Sequence, residues 1–575
     1  MTRARLGALV LPPLLASTGW IAGAAQAEEE APGDHPGVLV ASVPGVSFEE
    51  LMSIPEVVAL SRAGGAGLLA NSRDVGVITS SVSTDDMQRA GFIELDPRRT
   101  GGLEGVGREL RTLIEGSTND ELLVIVYTSR PSPEMIGSSD ELHGIAAAVG
   151  PPRALLPGTG NQGSLTSAST RRDGVVAGGD IWETIDTFLG ARARHLVAGE
   201  AGPGEPIEII PGPPPFELHE RYLAQRRMYV PIGTAGAIYL AIVGLGAIAA
   251  VALGNRVPSS VRRILGWGCL SVAALATALL AAGHLPDLTY ATVVPFVALV
   301  TVFGTLAFAP LERRDVLLVP AGIGIAVLVF FVLEAALSWT AALTPFVGGS
   351  ELDGGRFYGL PNAFIGLLIG ASLWIAHRLR TVAGFGLLVG VALFAGLPYL
   401  GANLGGGVSL FAAAGLWLAI RERERLGLWR GIGVFVGVTA LGAGVILVAH
   451  AISPFETHVT RFEEQGGGLA GVFGKFGDRF QVGFDLIARN PLALIPVLGL
   501  PIAIASVLRP PTPLRPSLQR NPAWRDAILV TLLAGVVAYL VNDSGPAAAG
   551  FAFGLGLGGL LGVSLLSEAG KMGES

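Results

Sequence analysis

Polar and apolar positions follow two different patterns along the chain, and the change falls near residue 228. Before it, short apolar runs alternate with amphipathic stretches. Residues 37–41 form a five-residue apolar run suited to a buried strand, and 67–69 predict a second. Residues 122–127 (LLVIVY) are continuously apolar, which predicts a strand in the middle of a parallel sheet. Between them, residues 47–63 place Phe48, Leu51, Val57, Val58 and Leu60 at helical spacing, and 100–115 do the same with Leu103, Val106, Leu110 and Ile114. A helix over 181–189 closes this α/β domain, and the Pro/Gly-rich stretch 201–228 is expected to be a linker.

After residue 228 the pattern becomes long apolar runs broken by short polar ones. A membrane helix needs about 20 mostly apolar residues. Eleven runs come near that length: 229–253, 264–283, 289–310, 316–339, 359–376, 382–400, 406–420, 431–452, 491–508, 527–541 and 547–566. They predict an all-α polytopic membrane bundle of about 11 helices, ending in a cytoplasmic tail at 567–575. At the other end, Arg3 and Arg5 precede an apolar stretch, and Ala25-Gln26-Ala27 offers a small-x-small cleavage site. Residues 1–27 therefore read as a secretory signal peptide. The domain 28–200 is then expected outside the cytoplasm.

Composition sharpens this picture. Only 15% of the 575 residues are charged and 50% are hydrophobic. An ordinary soluble domain carries about 25% charged residues, so a soluble enzyme is excluded. One cysteine, Cys269, leaves no intrachain disulfide and no Cys-based zinc site. The acidity belongs to the front of the chain, where residues 28–228 hold 16 arginines, no lysine and 29 acidic residues. Such a field disfavours nucleic acid and anionic lipid. Among the loops of the bundle, those expected inside carry 16 Lys+Arg and those expected outside carry five. The positive-inside rule then puts the front domain outside and the C-terminus in the cytoplasm of a multi-pass cell-membrane protein.

Polar motifs interrupt the apolar runs on the side expected to face outward. They are GGRFYGLPN at 354–362, GANLGGG at 401–407 and VNDSG at 541–545. They supply Arg356, Tyr358, Asn362, Asn403, Asn542 and Asp543, with Arg356 and Asp543 the natural ion pair. Glu334 and His450 lie near the outer ends of their helices, where ionisable groups are costly unless paired or hydrated. His458 and Arg461 precede an amphipathic stretch, with Phe473, Phe476, Phe480, Phe484 and Ile487, expected to lie in the outer interface. No P-loop is present, so ATP hydrolysis does not drive this chain.

The order VLV at 38–40, GVSFEEL at 45–51, GLLAN at 67–71, 122–127, LTSASTRRDG at 165–174 and DIWETI at 180–185 resembles a shortened alkaline phosphatase superfamily domain. It is similar to the version in bacterial polytopic membrane proteins whose outer-loop motifs the three polar stretches also resemble. The resemblance implies an α/β domain with a parallel sheet, but no particular reaction. That superfamily places a metal-binding Asp after its first strand and an Asp-His pair after a late one. Here those places read Ala41-Ser42-Val43-Pro44 and Ser167-Ala168-Ser169-Thr170. Two-metal phosphoryl transfer needs several carboxylates and imidazoles around ions roughly 4 Å apart. A catalytically inactive fold, with no metal and no cofactor, is therefore expected. Asn71, Ser72, Arg73, Thr170, Arg171 and Arg172 remain as ligand-binding candidates, the arginines through charge-assisted bonds to an anion. The plain alternative for that last group is a solvated loop.

Two functions remain open at this stage. One is a transporter, flippase or envelope-assembly component with a non-catalytic binding domain outside. The other is an outer-leaflet transferase, or a phosphatase-like hydrolase, acting on a lipid-linked glycan or phosphoryl substrate. The partners expected are membrane lipids and an anionic or lipid-linked envelope substrate.

Overall fold

A computed structural model describes residues 37–70, 92–117, 119, 121–129, 143–157, 163–189, 205–348, 352, 358–453, 494–542 and 545–572. Residues 1–27, expected as a signal peptide, and Asn71, Ser72, Arg73, Arg356, Asp543, His458, Arg461 and the stretch 473–487 lie outside the described residues. The chain divides into two units. The first holds most residues up to Pro214; the second holds Pro215–Ser575 together with the short segment Ala168–Val175.

The first unit is built on an eight-stranded mixed sheet: β1 (Gly37–Val43), β2 (Gly65–Ala70), β3 (Phe92–Glu94), β4 (Leu122–Thr128), β5 (His143–Gly150), β6 (Gly163–Ser167), β7 (Val175–Ala177) and β8 (Ile207–Pro211). The order is β3-β1-β4-β5-β2-β6-β8, with β7 pairing β2. β1 pairs in parallel with β3 and β4, and β2 with β6. The sheet is not wholly parallel as expected. β5 runs antiparallel between β4 and β2, and β8 antiparallel on the edge beside β6. The continuous apolar run of β4 is buried along its whole length, as a strand covered on both faces requires.

The helices that serve this sheet include α1 (Phe48–Leu51), α2 (Pro55–Ala63), α3 (Leu103–Glu115) and α4 (Gly178–Leu189). The single helix expected over 47–63 is two. Pro55 begins α2, and the residue before a proline is pushed out of the helical region; Ile54 has ψ 119°. Ser47 caps α1 in a box with Glu50. On one face, Leu123, Ile125 and Tyr127 pack with Ile181, Trp182 and Ile185 of α4. The stretch expected as a linker contains β8. Asp180 holds that corner. Its carboxylate accepts from Ser167 Oγ (2.6 Å), Ala177 N (2.7 Å) and Glu205 N (3.0 Å).

The second unit is mostly helical. Its main helices are α5 (Phe216–Leu253), α6 (Ser259–Leu270), α7 (Val272–Ala281), α8 (Tyr290–Leu306), α9 (Leu318–Ala336), α10 (Ile365–Ala376), α11 (Thr381–Gly396), α12 (Leu404–Arg421), α13 (Arg423–Ala451), α14 (Leu494–Leu508), α15 (Pro522–Val541) and α16 (Gly545–Met572). Each of the eleven apolar runs overlaps one of these helices or the bent pair α6–α7, the run 491–508 over its described residues. Among the described residues seven are long and apolar enough to cross a membrane, and the bent pair α6–α7 makes eight. Three segments, Asn362–Ala376, Thr381–Gly396 and Leu498–Leu508, are apolar but shorter.

Burial sorts helices that hydropathy leaves alike. α10 is apolar on every side and almost wholly buried, from Ile365 to Trp374, as an all-round apolar helix in a bundle should be. Gly366 lets it touch α16 closely: a Cβ there would sit 1.9 Å from the Ala548 carbonyl. α5, α8 and α13 instead present Ile242, Leu245, Phe303, Leu441 and Val448 at the surface, a face that suits lipid.

Candidate functional site

Ionic contacts sort to the two ends of the helical unit. At one end, Arg262 pairs with Glu568 (3.2 Å), Arg263 with Glu312 (3.0 Å), Arg378 with Asp315 (2.7 Å) and Arg423 with Asp526 (3.0 Å). These are residues of the arginine-rich connections. The other end, where α9 finishes and α10 and α12 begin, collects the polar motifs.

Glu334 lies in the last turn of α9, 1% exposed. One carboxylate oxygen, Oε1, meets His284 Nε2. The other accepts the Ala341 N–H at 3.2 Å. His284 stands at the end of the 3₁₀ turn Ala282–His284 that extends α7, with its side chain 34% exposed. The carboxylate is thus buried and its partner reaches the surface. A buried carboxylate at such a position is costly unless paired, and this pairing meets that need.

The chain leaves α9 through two consecutive residues in the left-handed region, Ser338 (φ 54°) and Trp339 (φ 60°). Both carry a Cβ, which that region disfavours, and single residues there cost of order 1–3 kcal/mol. The turn is held by the Trp339 N–H to the Glu334 carbonyl (2.8 Å) and by the indole N–H to Leu400 O (2.7 Å). Phe331 and Phe394 flank the buried indole.

Helix C-termini expose carbonyls and attract cations, and arginines answer that demand here. Arg172 donates to Ser338 O (2.5 Å) and Trp339 O (3.4 Å) just past α9. Arg221 of α5 donates to Gly283 O (2.7 Å), Leu285 O (2.8 Å) and Pro286 O (3.1 Å) just past α7. Gln225 donates to Pro345 O. Arg171, itself at φ 53°, donates to Pro398 O (3.1 Å) and lies over the Tyr358 ring at 4.8 Å. Tyr358 Oη donates to Tyr399 O (3.1 Å). Thr170 closes its own loop by donating to Val175 O (2.7 Å). Thr170 and Arg172 are buried, so this segment is not a solvated loop.

The asparagines of the three motifs meet at the start of α12. Asn403 caps that helix by accepting from Gly406 N (2.7 Å), and donates to Leu360 O (2.8 Å) and Asn362 Oδ1 (2.9 Å). Asn542 donates to Ser409 Oγ (3.0 Å) and Ala538 O (2.9 Å). Its buried Oδ1 has no protein donor among the described residues. His450 Nε2 meets Gly396 O at 2.9 Å, beside the same turn.

Asn362, Asn403, Asn542, Glu334 and His450 thus gather at one end, with Tyr358, Arg171 and Arg172. Asn403 acts as a cap and cross-tie rather than a ligand-facing amide. The spacing of polar motifs missed His284, Trp339 and Arg221. His284 follows directly on an apolar run, and that position next to a predicted outer loop was the available signal. Among the described residues no three His, Cys, Asp or Glu side chains gather as a metal site. Comparison of the chain with family models, curated proteins and solved structures yields no match.

Proposed function

We propose that the chain is an integral membrane protein of the cell envelope that works as a transporter, flippase or envelope-assembly component. The sheet unit serves it as a non-catalytic, phosphatase-like binding module on the extracytoplasmic side. The observation that carries this reading is the interrupted chain around Glu334. α10 and α11 have 12 and 16 residues, or roughly 18 and 24 Å at 1.5 Å per residue. The hydrocarbon core is about 30 Å thick. The described chain between α9 and α10, a 3₁₀ turn at Thr340–Leu343 and irregular residues around it, is buried in protein at Trp339, Ala341, Ala342, Phe346 and Leu360. Irregular backbone at membrane depth is tolerated only where protein or a cavity receives it, and short, interrupted helices mark substrate sites in transporters.

The test is translocation. Full-length protein is placed in vesicles holding headgroup-labelled phospholipids, and inner-leaflet label is followed by its exposure to an impermeant quencher. Faster exposure than in protein-free vesicles is expected. A second reading, the outer-leaflet transferase, draws on the Glu334–His284 pair, because a carboxylate-oriented imidazole is a competent general base. Vesicles no faster than the protein-free control, together with transfer of a labelled sugar or phosphoryl group onto a lipid-linked acceptor, would replace the first reading by the second.

A further inference from the structure

We propose that Glu334 and His284 form a proton-binding site, and that its occupancy sets the conformation of the turn 338–343. The inference deepens the reading of this end as the working end, but does not require that the cargo be a lipid.

The pair has the geometry of a proton relay between surface and interior. His284 reaches the surface, Glu334 does not, and Nε2 of the one meets Oε1 of the other. A charged imidazole passes its Nε2 proton to Oε1, leaving a neutral ring and a neutral acid. The neutral ring keeps its Nδ1 proton, so it recharges from surface water only once Nε2 has turned away from the acid. The reverse sequence empties the site.

What surrounds the pair makes its charge matter. The flanking helices α7 and α8 contribute no Asp, Glu, Lys or Arg, and neither does the turn Thr340–Leu343. Arg221, from α5, is spent on the carbonyls of Gly283, Leu285 and Pro286. Arg172, from the segment Ala168–Val175, bonds the carbonyls of Ser338 and Trp339. Asp287 and Tyr290 follow His284 in its own loop and at the start of α8. Among the described residues, His284 is thus the basic side chain that meets the Glu334 carboxylate.

Glu334 also fastens the turn. Its carbonyl receives the N–H groups of Leu337 and Trp339, and its Oε2 receives that of Ala341. Hydrogen bonds to a charged acceptor are about twice as strong as neutral ones. Neutralising the carboxylate therefore weakens the tie to Ala341. That tie braces a turn already strained at Ser338 and Trp339, whose carbonyls are the acceptors of Arg172. A proton bound at Glu334 is in this way transmitted to the seat of the 168–175 segment.

Amide hydrogen exchange of 337–343 tests this on the full-length protein in lipid discs, compared at about pH 8 and about pH 5, the range in which imidazoles charge. After correction for intrinsic exchange, protection in the native chain should fall about tenfold at the lower pH, the worth of one charged hydrogen bond. Glu334→Gln, a mimic of the protonated acid, should show the low protection at both pH values. His284→Gln should change the pH profile of the response, because it removes the basic side chain that meets the carboxylate. Equal protection at both pH values in the native chain, or a His284→Gln profile superimposed on the native one, would overturn the proposal. If translocation fails while the exchange still responds, only the transport reading falls.

Discussion

At Gly359 a side chain is excluded twice over. Its φ is +109°, and a Cβ would lie 2.3 Å from the Gly401 carbonyl oxygen. The Leu360 N–H bonds that same carbonyl at 2.8 Å, so the two turns cannot separate without losing the tie. Gly359→Ala should therefore destabilise by about 2 kcal/mol or more, seen as a lower melting temperature of the purified protein. Gly386, inside α11, has nothing within 4 Å of its Cβ position. Gly386→Ala should be neutral or stabilising by up to about 1 kcal/mol, and an equal loss at both sites would refute the distinction. Tyr127 of β4 makes a second residue-scale prediction. Burial, and then the nearby Glu94 charge, push its hydroxyl up to about 12, with a hydrogen bond involving Ser42 opposing. The folded state thus holds this proton more tightly than the unfolded one. The stabilisation is complete below about pH 10 and is lost as pH rises through about 12. The two units correspond to of order 2–3 kcal/mol. Alkaline melting curves should show this loss in the native chain and a shallower one in Tyr127→Phe.

Among elements, α12 depends most visibly on a single side chain. Asn403 caps it and ties Leu360 and Asn362 to its start. Asn403→Ala removes a cap worth about 0.5–2 kcal/mol and leaves the buried Leu360 carbonyl without this donor, a further ~1–3 kcal/mol. Asn403→Asp keeps the acceptor for Gly406 N but turns a carboxylate oxygen onto the acceptors Leu360 O and Asn362 Oδ1 at a fully buried position. Both variants should therefore melt below the native chain; an Ala variant as stable as native would remove the cap from the argument. The α1–α2 break shows the same logic from the sequence side. Pro55 at the first position of α2 dictates it, and periodicity alone reads through it because Phe48, Leu51, Ile54 and Val57 follow one another at spacings of three.

For the whole molecule, the arginine pairs at the end opposite Glu334 join connections that the positive-inside rule assigns to one side. A reporter active only outside the cytosol should give signal when fused after Glu200 and none after Ser575. The reverse would invert the topology and put Glu334 on the cytoplasmic side. The amino-acid sequence by itself determined that an α/β stretch is followed by long apolar helices, because apolar run length answers directly to the surroundings; it put the change near residue 228, whereas α5 begins at Phe216 and the second unit at Pro215. It also determined β1, β2, β4 and where the apolar helices lie, of which seven or eight among the described residues are long enough to span, since a period of 2 or 3.6, or an unbroken apolar run, is local information. Only the tertiary structure decided that β5 reverses direction within the sheet. Pairing direction depends on how a connection returns the chain, and the small-residue run His143–Gly150 carries no mark of it. Tertiary structure alone also decided that α10 is encased while α5 and α13 face outward, because all are apolar and burial depends on neighbours. Most of all it joined His284 to Glu334 across fifty positions and turned Arg171 and Arg172 onto carbonyls at helix ends. Those contacts are fixed by the crossing of helices, and no spacing within one segment encodes them.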